Sequence, residues 1–124
     1  MPKQIAFLTL GCAKNEVDSA QMQEDLVRAG FEIVDIESSY DALVINTCAF
    51  IQPAIEESID TILDAAALES ISTGKTKLIV AGCLPSRFGK ELESELSEVS
   101  AFVPCNKEDS LVEVLFSLIY RSEE

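Results

Sequence analysis

Short apolar runs alternate with segments of helical periodicity along most of this chain, and this alternation limits the folds open to it. Five runs are typical of β-strands, and most of the segments between and after them are typical of helices. Alternating strands and helices favour a parallel sheet with helices on both faces. We therefore predict an α/β fold, flavodoxin-like or Rossmann-like, with a five-stranded, mainly parallel, doubly wound sheet in the order 2-1-3-4-5. The predicted strands are Ile5–Leu10, Phe31–Val34, Ala42–Ile45, Leu78–Ala81 and Ala101–Val103.

The predicted helices follow from apolar spacing and from residues typical of helix ends. The first ends at Gly30, and the second begins at Pro53. The third starts near Ser86, and Asp109 caps the last. No crossover helix fits between the second and third strands, so we expect an extended or single-turn link there. The apolar helix faces comprise Val17, Ala20, Met22 and Leu26; Ile55, Ile59, Ile62, Leu63 and Ala66; Leu92 and Leu96; and Leu111, Val114, Leu115, Leu118 and Ile119.

The composition indicates a single acidic domain. The 124 residues, of which 48% are apolar, suffice for one core. Nine basic and 22 acidic residues give a net charge of −13, which disfavours direct nucleic-acid binding by this domain. The sequence lacks a signal-peptide pattern, and no run reaches the roughly 18 apolar residues of a membrane span. We predict a cytoplasmic protein without membrane contact, whose four cysteines are thiols.

Three of the four cysteines share one position relative to the predicted strands. Cys12, Cys48 and Cys83 follow the first, third and fourth strands. These strands are neighbours in the predicted order, and neighbouring strands lie about 4.8 Å apart. The three thiols should therefore converge at the carboxyl edge of the sheet, where open α/β sheets bind ligands. They are our candidate cofactor-binding and metal-binding residues.

The chemistry of such a site is not fixed by the pattern alone. Structural zinc usually takes four ligands, often in Cys-x-x-Cys pairs, and the chain has neither such a pair nor a histidine. Thiolates hold iron–sulfur clusters, and Gly11 and Gly82 would let the backbone approach one. A thiol-redox role and a purely structural role remain alternatives. Cys105 follows the fifth strand, roughly 10 Å from the third, where it packs at the edge or serves as a fourth ligand.

Four polar residues near the cysteines have alternative roles. Lys14 either offsets thiolate charge or is simply exposed, and we favour exposure. Asn15 and Asp18 are interpreted as caps of the first helix rather than as ligands. Asn46 either ties the loops together through hydrogen bonds or takes part in an ordinary turn.

Three motifs resemble the radical-SAM methylthiotransferase family. Residues 9–19, Thr-Leu-Gly-Cys-Ala-Lys-Asn-Glu-Val-Asp-Ser, are similar to its opening motif. Residues 46–51, Asn-Thr-Cys-Ala-Phe-Ile, with Glu-Glu-Ser-Ile-Asp at 56–60, are similar to its second motif. Residues 81–89, Ala-Gly-Cys-Leu-Pro-Ser-Arg-Phe-Gly, are similar to its third. The three motifs occur in the family's order and span nearly the whole chain.

The resemblance implies a role within a larger enzyme. Residues 1–124 would form the N-terminal domain, with an auxiliary 4Fe-4S cluster on Cys12, Cys48 and Cys83. A central radical-SAM domain would carry a second 4Fe-4S cluster and S-adenosylmethionine, and a small C-terminal β domain would bind substrate. The chain lacks the Cys-x-x-x-Cys-x-x-Cys motif of the radical-SAM domain. We therefore expect the chain alone to be inactive.

The first and second motifs are most similar to the RimO-type branch of that family. This branch methylthiolates the β-carbon of an aspartate in a ribosomal protein of the small subunit. The implied partners are the radical-SAM domain of the same protein and the ribosomal protein substrate. Two alternatives stay open: a domain of a tRNA adenosine methylthiotransferase, and a non-catalytic α/β binding module with structural cysteines.

Overall fold

The computed structural model contains one parallel sheet of five strands. It describes residues 3–11, 13–49, 52–96, 98–104 and 110–120. The strands are β1 (Gln4–Thr9), β2 (Glu32–Val34), β3 (Ala42–Thr47), β4 (Lys77–Gly82) and β5 (Ala101–Pro104). All pairings are parallel, in the order β2-β1-β3-β4-β5. The predicted α/β fold and strand order are confirmed.

The helices lie where the periodicity predicts them, with shifted ends. They are α1 (Ala13–Arg28), α2 (Gln52–Ala66), α3 (Glu69–Ser72), α4 (Cys83–Glu95) and α5 (Leu111–Leu115), which a π-helical turn (Phe116–Tyr120) extends. The single turn α3 was not predicted, and α4 starts earlier than expected, with a kink at Phe88. Asp109, the predicted cap, lies outside the described residues. Within the described ranges, no helix is long and apolar enough to cross a membrane.

Both faces of the sheet are covered by apolar side chains. Alternate strand residues such as Ile45 and Val80 pack against Ile62 of α2 and Leu84 of α4. The opposite face, which includes Val44, packs on α1 and α5. Every residue of β3 is buried, as expected for the central strand of a two-sided parallel sheet. Each fully buried Leu or Ile side chain contributes about 1.5–3 kcal/mol to folding.

The buried face of α1 differs from the predicted face. Val17 is 68% exposed, whereas Asn15 and Ser19 are buried together with Met22 and Leu26. Those four positions follow the helical repeat, so α1 buries two polar residues in its first two turns. Choosing the face by apolarity alone therefore selected Val17 wrongly. On α2, Leu63 is likewise 49% exposed.

The end of α1 follows the prediction for Gly30. This glycine has φ = +102°, and its N–H donates to Val27 O at 3.1 Å. The N–H of Phe31 donates to Leu26 O at 3.0 Å. This pair of bonds is the Schellman arrangement that ends helices at a glycine.

The connection from β2 to β3 contains no helix, as predicted. Asp41, at its end, joins it to both neighbouring strands. Its carboxylate accepts from Gln4 N at 2.7 Å, and its carbonyl accepts from Lys77 N at 3.0 Å. Without a crossover helix, a cavity of about 300 Å³ remains beside α2. It is lined by Leu8, Ile36, Tyr40, Leu43, Thr61, Asp64, Ala65 and Leu68.

Candidate cofactor site at the carboxyl edge of the sheet

The strand register brings two of the predicted ligands side by side. Thr47 and Gly82 are paired at the ends of β3 and β4, and Cys48 and Cys83 are the residues that follow them. Both are thiols. Cys48 is 7% exposed, and Cys83 is partly buried. Neighbouring strands are about 4.8 Å apart, so the two cysteines leave the sheet at adjacent points.

Cys12 lies outside the described residues, and so does Cys105. The three-cysteine set therefore stays a prediction, and among the described residues no three Cys, Asp, Glu or His form a metal-binding group. The residue before Cys12 is nonetheless placed. A Cβ on Gly11 would lie 2.5 Å from Cys48 Cβ and 2.9 Å from Cys48 Sγ. Position 12 therefore directly follows a residue, Gly11, that lies against Cys48.

Gly82 is confined by the neighbouring strand. Its φ is +98°, and a Cβ there would collide with Asn46 Oδ1 and lie 2.6 Å from Thr47 O. We predicted that Gly11 and Gly82 let the backbone approach a cluster. The structure gives a different reason for both glycines, because at each the room is taken by β3 residues or by Cys48.

Asn15 connects the ends of β1 and β3. It is 2% exposed, and its Nδ2 donates to Leu10 O and to Thr47 O, both at 2.8 Å. The predicted capping role is wrong, because Asn15 is the third residue of α1 and its side chain donates to carbonyls. A capping side chain accepts from backbone N–H groups instead.

Asn46 ties α1 to the sheet through hydrogen bonds, so it joins a helix to a strand rather than two loops and takes part in no turn. It is fully buried, and its Nδ2 donates to Asn15 O and to Ser19 Oγ, both at 3.0 Å. Ser19 Oγ in turn lies 2.7 Å from Thr9 Oγ1. Asn46 Oδ1 has no hydrogen-bond partner among the described residues and faces the Cα–H of Gly82. A Cα–H···O contact is the weak partner that this geometry allows.

Thr47 connects the ends of β3 and β4. It is fully buried, and its hydroxyl donates to Ala81 O at 2.6 Å and accepts from Leu84 N at 3.1 Å. The two bonded residues flank Cys83. Thr47 was not predicted as a site residue, although a threonine directly before a cysteine at a strand end was the available signal.

Two further side chains hold the segment around Cys48. The buried Ser58 hydroxyl accepts from Cys48 N at 3.1 Å and donates to Cys48 O at 2.8 Å. Arg87 Nη1 donates to Ala49 O at 3.1 Å, and its guanidinium carbon lies 5.1 Å from the Phe88 ring centroid. Neither Ser58 nor Arg87 was predicted from the sequence as a site residue. For Ser58, the signal was a small polar residue on the otherwise apolar face of α2.

Lys14 and Asp18 lie on the exposed side of α1. Lys14 Nζ is 2.9 Å from Asp18 Oδ2, and the side chains are 67% and 26% exposed. Such a surface pair contributes little to stability. Lys14 is thus exposed as favoured, and Asp18 sits inside α1 as its partner rather than as a cap.

Helices begin beside the cysteines. α1 starts one residue after position 12, and α4 starts at Cys83. The N-terminus of a helix carries a partial positive charge and unpaired N–H groups. Cys83 lies at such a helix start and position 12 directly precedes another, which favours an anionic metal–thiolate group there, and soft thiolate ligands suit iron–sulfur clusters.

A comparison with protein families places the chain. The model described as uncharacterized protein family UPF0004 matches residues 4–104, which is most of the sequence. The chain belongs to the UPF0004 family. Three curated relatives of this UPF0004 chain are named ribosomal protein uS12 methylthiotransferase RimO. They come from Solibacter usitatus (45% identical over 90% of the chain), Myxococcus xanthus (46% over 82%) and Natranaerobius thermophilus (40% over 94%).

These relatives confirm the predicted similarity to the RimO-type methylthiotransferases. The UPF0004 chain covers 24%, 21% and 26% of their respective lengths, so it spans about a quarter of them. Among solved structures, an adenylate cyclase from Rhodopirellula baltica is similar, with a TM-score of 0.53 and 10% identity. The match covers 99% of this chain and 96% of that one. At this identity it shows a shared fold alone.

Proposed function

We propose that this chain is the auxiliary-cluster domain of a methylthiotransferase and that Cys12, Cys48 and Cys83 hold a 4Fe-4S cluster. The observation that carries the proposal is the pairing of Thr47 with Gly82, which sets Cys48 beside Cys83. The contact of Gly11 with Cys48 supports including Cys12. The RimO names of the relatives support the class of enzyme.

The proposed roles of the cluster and of the chain follow from the number of protein ligands. A 4Fe-4S cluster on three protein thiolates supplies one iron with an open coordination position for a transferable sulfur group. The chain's own residues hold and orient that cluster. The burial of Cys48 excludes water from its sulfur, and Ser58 fixes its backbone on both sides. In this proposal Cys105 is not a ligand.

We propose a protein substrate, the β-carbon of an aspartate in a small-subunit ribosomal protein. The relatives' printed name, which specifies ribosomal protein uS12, supports this choice. The net charge of −13 also disfavours a tRNA substrate bound by this domain. The radical-SAM domain, with its own 4Fe-4S cluster and S-adenosylmethionine, and a C-terminal substrate-binding domain would be the partners. The chain alone would not catalyse the transfer.

Anaerobic reconstitution with iron and sulfide tests the cluster. The wild-type chain should turn brown, absorb through thiolate-to-iron charge transfer, and hold about four irons. Cys12→Ser, Cys48→Ser and Cys83→Ser should each lose most of that iron. Cys105→Ser is the matched control and should retain it. A colourless wild-type product, prepared beside a known cluster protein that does reconstitute, would contradict the proposal.

A further inference from the structure

Two buried side chains link the three cysteine segments to one another. Asn15 Nδ2 bonds Leu10 O, two residues before Cys12, and Thr47 O, one residue before Cys48, each at 2.8 Å. One amide group thus joins the first and second segments. It does so through two donated bonds, which the N–H₂ group of an amide can make and a carboxylate of the same size cannot.

The Thr47 hydroxyl joins the second and third segments in the same way. It donates to Ala81 O at 2.6 Å, two residues before Cys83, and accepts from Leu84 N at 3.1 Å, one residue after it. A hydroxyl can donate and accept at once, so a single atom holds both sides of Cys83.

These bonds begin where the sheet ends. The last paired residues of β3 and β4 are Thr47 and Gly82. Beyond them the backbone groups lose their ladder partners, and buried backbone groups need replacements. Asn15 is 2% exposed and Thr47 is fully buried, so water does not compete for these bonds.

We infer that Asn15 and Thr47 are positioning residues that fix the spacing of the three cysteine segments before any cofactor binds. The inference rests on the proposed function, because it assigns these residues to the cluster site. A preorganised site binds more tightly, since less ordering accompanies binding. Asn15 and Thr47 touch no cofactor in this scheme and act only through the segments they join.

Anaerobic titration with Co²⁺ tests the inference, with thiolate-to-cobalt charge-transfer absorbance as the readout. Thr47→Val keeps the shape of the side chain but removes the hydroxyl, and Thr47→Ser keeps the hydroxyl. We expect Thr47→Val to weaken Co²⁺ binding about tenfold or more, equivalent to about 1.4 kcal/mol. Thr47→Ser should stay within about twofold of wild type. Asn15→Asp, which replaces the donor group with an acceptor at equal size, should resemble Thr47→Val.

A destabilised control separates positioning from general loss of structure. Leu111 is buried on the face of the sheet that α1 and α5 cover, and its apolar side chain makes no hydrogen bond to the cysteine segments. Leu111→Ala should lower thermal stability and leave Co²⁺ affinity unchanged, measured at a temperature where circular dichroism shows each variant folded. If Thr47→Val does not fold, Asn15→Asp decides the question.

Different results would overturn the proposed function and the positioning inference. Wild-type chain that takes up neither Co²⁺ nor an iron–sulfur cluster overturns the proposed function. Wild-type binding that Thr47→Val and Asn15→Asp leave unchanged overturns the positioning inference alone. A loss of affinity in Leu111→Ala as large as in Thr47→Val also overturns it, because stability would then explain the effect.

Discussion

Ser58 illustrates how single buried polar residues shape the site. Its hydroxyl is bonded to both the N–H and the C=O of Cys48. A buried backbone group without a partner costs about 1–3 kcal/mol. An apolar residue at position 58 would leave both the N–H and the C=O of Cys48 without this partner. The polar residues beneath the cysteines are therefore required by the backbone around them.

Substitution of Gly82 should show how tightly β3 and β4 approach each other. Gly82→Ala combines a positive φ with a collision against Asn46 Oδ1. Gly74→Ala is the matched control, because its φ is +83° and nothing lies within 4 Å of the added Cβ. The positive φ costs about 1–2 kcal/mol in Gly74→Ala. In Gly82→Ala the ψ of −147°, which almost only glycine adopts at positive φ, and the collision should together at least double the loss. Urea unfolding measures both, and equal losses would refute the close approach.

The sequence allowed the roles of some residues to be predicted better than others. Two roles were considered for Asn46, tying loops together through hydrogen bonds and an ordinary turn, and its hydrogen bonds go instead to α1. Asn15 was assigned to a helix cap, since an asparagine near a helix start is most often one. Its true role depends on Thr47 O, 32 residues away, which no local pattern contains. The placement of Cys12 stays a prediction.

At the scale of elements, α1 should respond to substitution on one face only. Met22 is 2% exposed and Val17 is 68% exposed. Met22→Ala should lower the free energy of unfolding by about 2–5 kcal/mol, because it leaves a cavity. Val17→Ala, a similar truncation, should change it by less than about 0.5 kcal/mol. Chemical denaturation of the two variants measures this difference, and comparable losses would mean that α1 is rotated from its described position.

The strands could be predicted because each is a short apolar run between turn residues. Helix faces were less predictable where polar residues are buried. Asn15 and Ser19 look like solvent-facing positions, and only their hydrogen bonds to Asn46 and the backbone make burial possible. The single turn α3 is too short to show a periodic pattern.

For the molecule as a whole, the strand order followed from few assumptions. Strand–helix alternation and right-handed crossovers leave few arrangements of five parallel strands. The same reasoning placed Cys48 and Cys83 together, because their strands are neighbours. What the reasoning left open was the polar network at the carboxyl edge, which depends on side-chain geometry rather than on topology.

The net charge of −13 should make the stability of the chain depend on salt. Repulsion among acidic groups disfavours the compact state, and the Debye length falls from about 30 Å at 0.01 M to about 8 Å at 0.15 M. We expect the melting temperature to rise by about 3 °C or more over this range, since about 1 kcal/mol shifts it by roughly 4 °C. Thermal circular dichroism in sodium chloride and in choline chloride should agree. A melting temperature that falls with salt would contradict the expectation.

The three-residue length of β2 explains how a crossover without a helix is possible. The link 35–41 must step past β1, about 10 Å, but it returns along the strands by only one residue, about 3.3 Å, because Val34 pairs with Ala6 and Ala42 pairs with Ile5. Seven extended residues reach about 23 Å. Because the short β2 ends almost level with the start of β3, the link makes this crossing without a helix. The pairing of β2 also stops at Ala6. The remaining half of β1, which leads to position 12, therefore has no strand neighbour on this flank, and a groove lined by Phe7, Gln23 and residues 33–37 lies beside it.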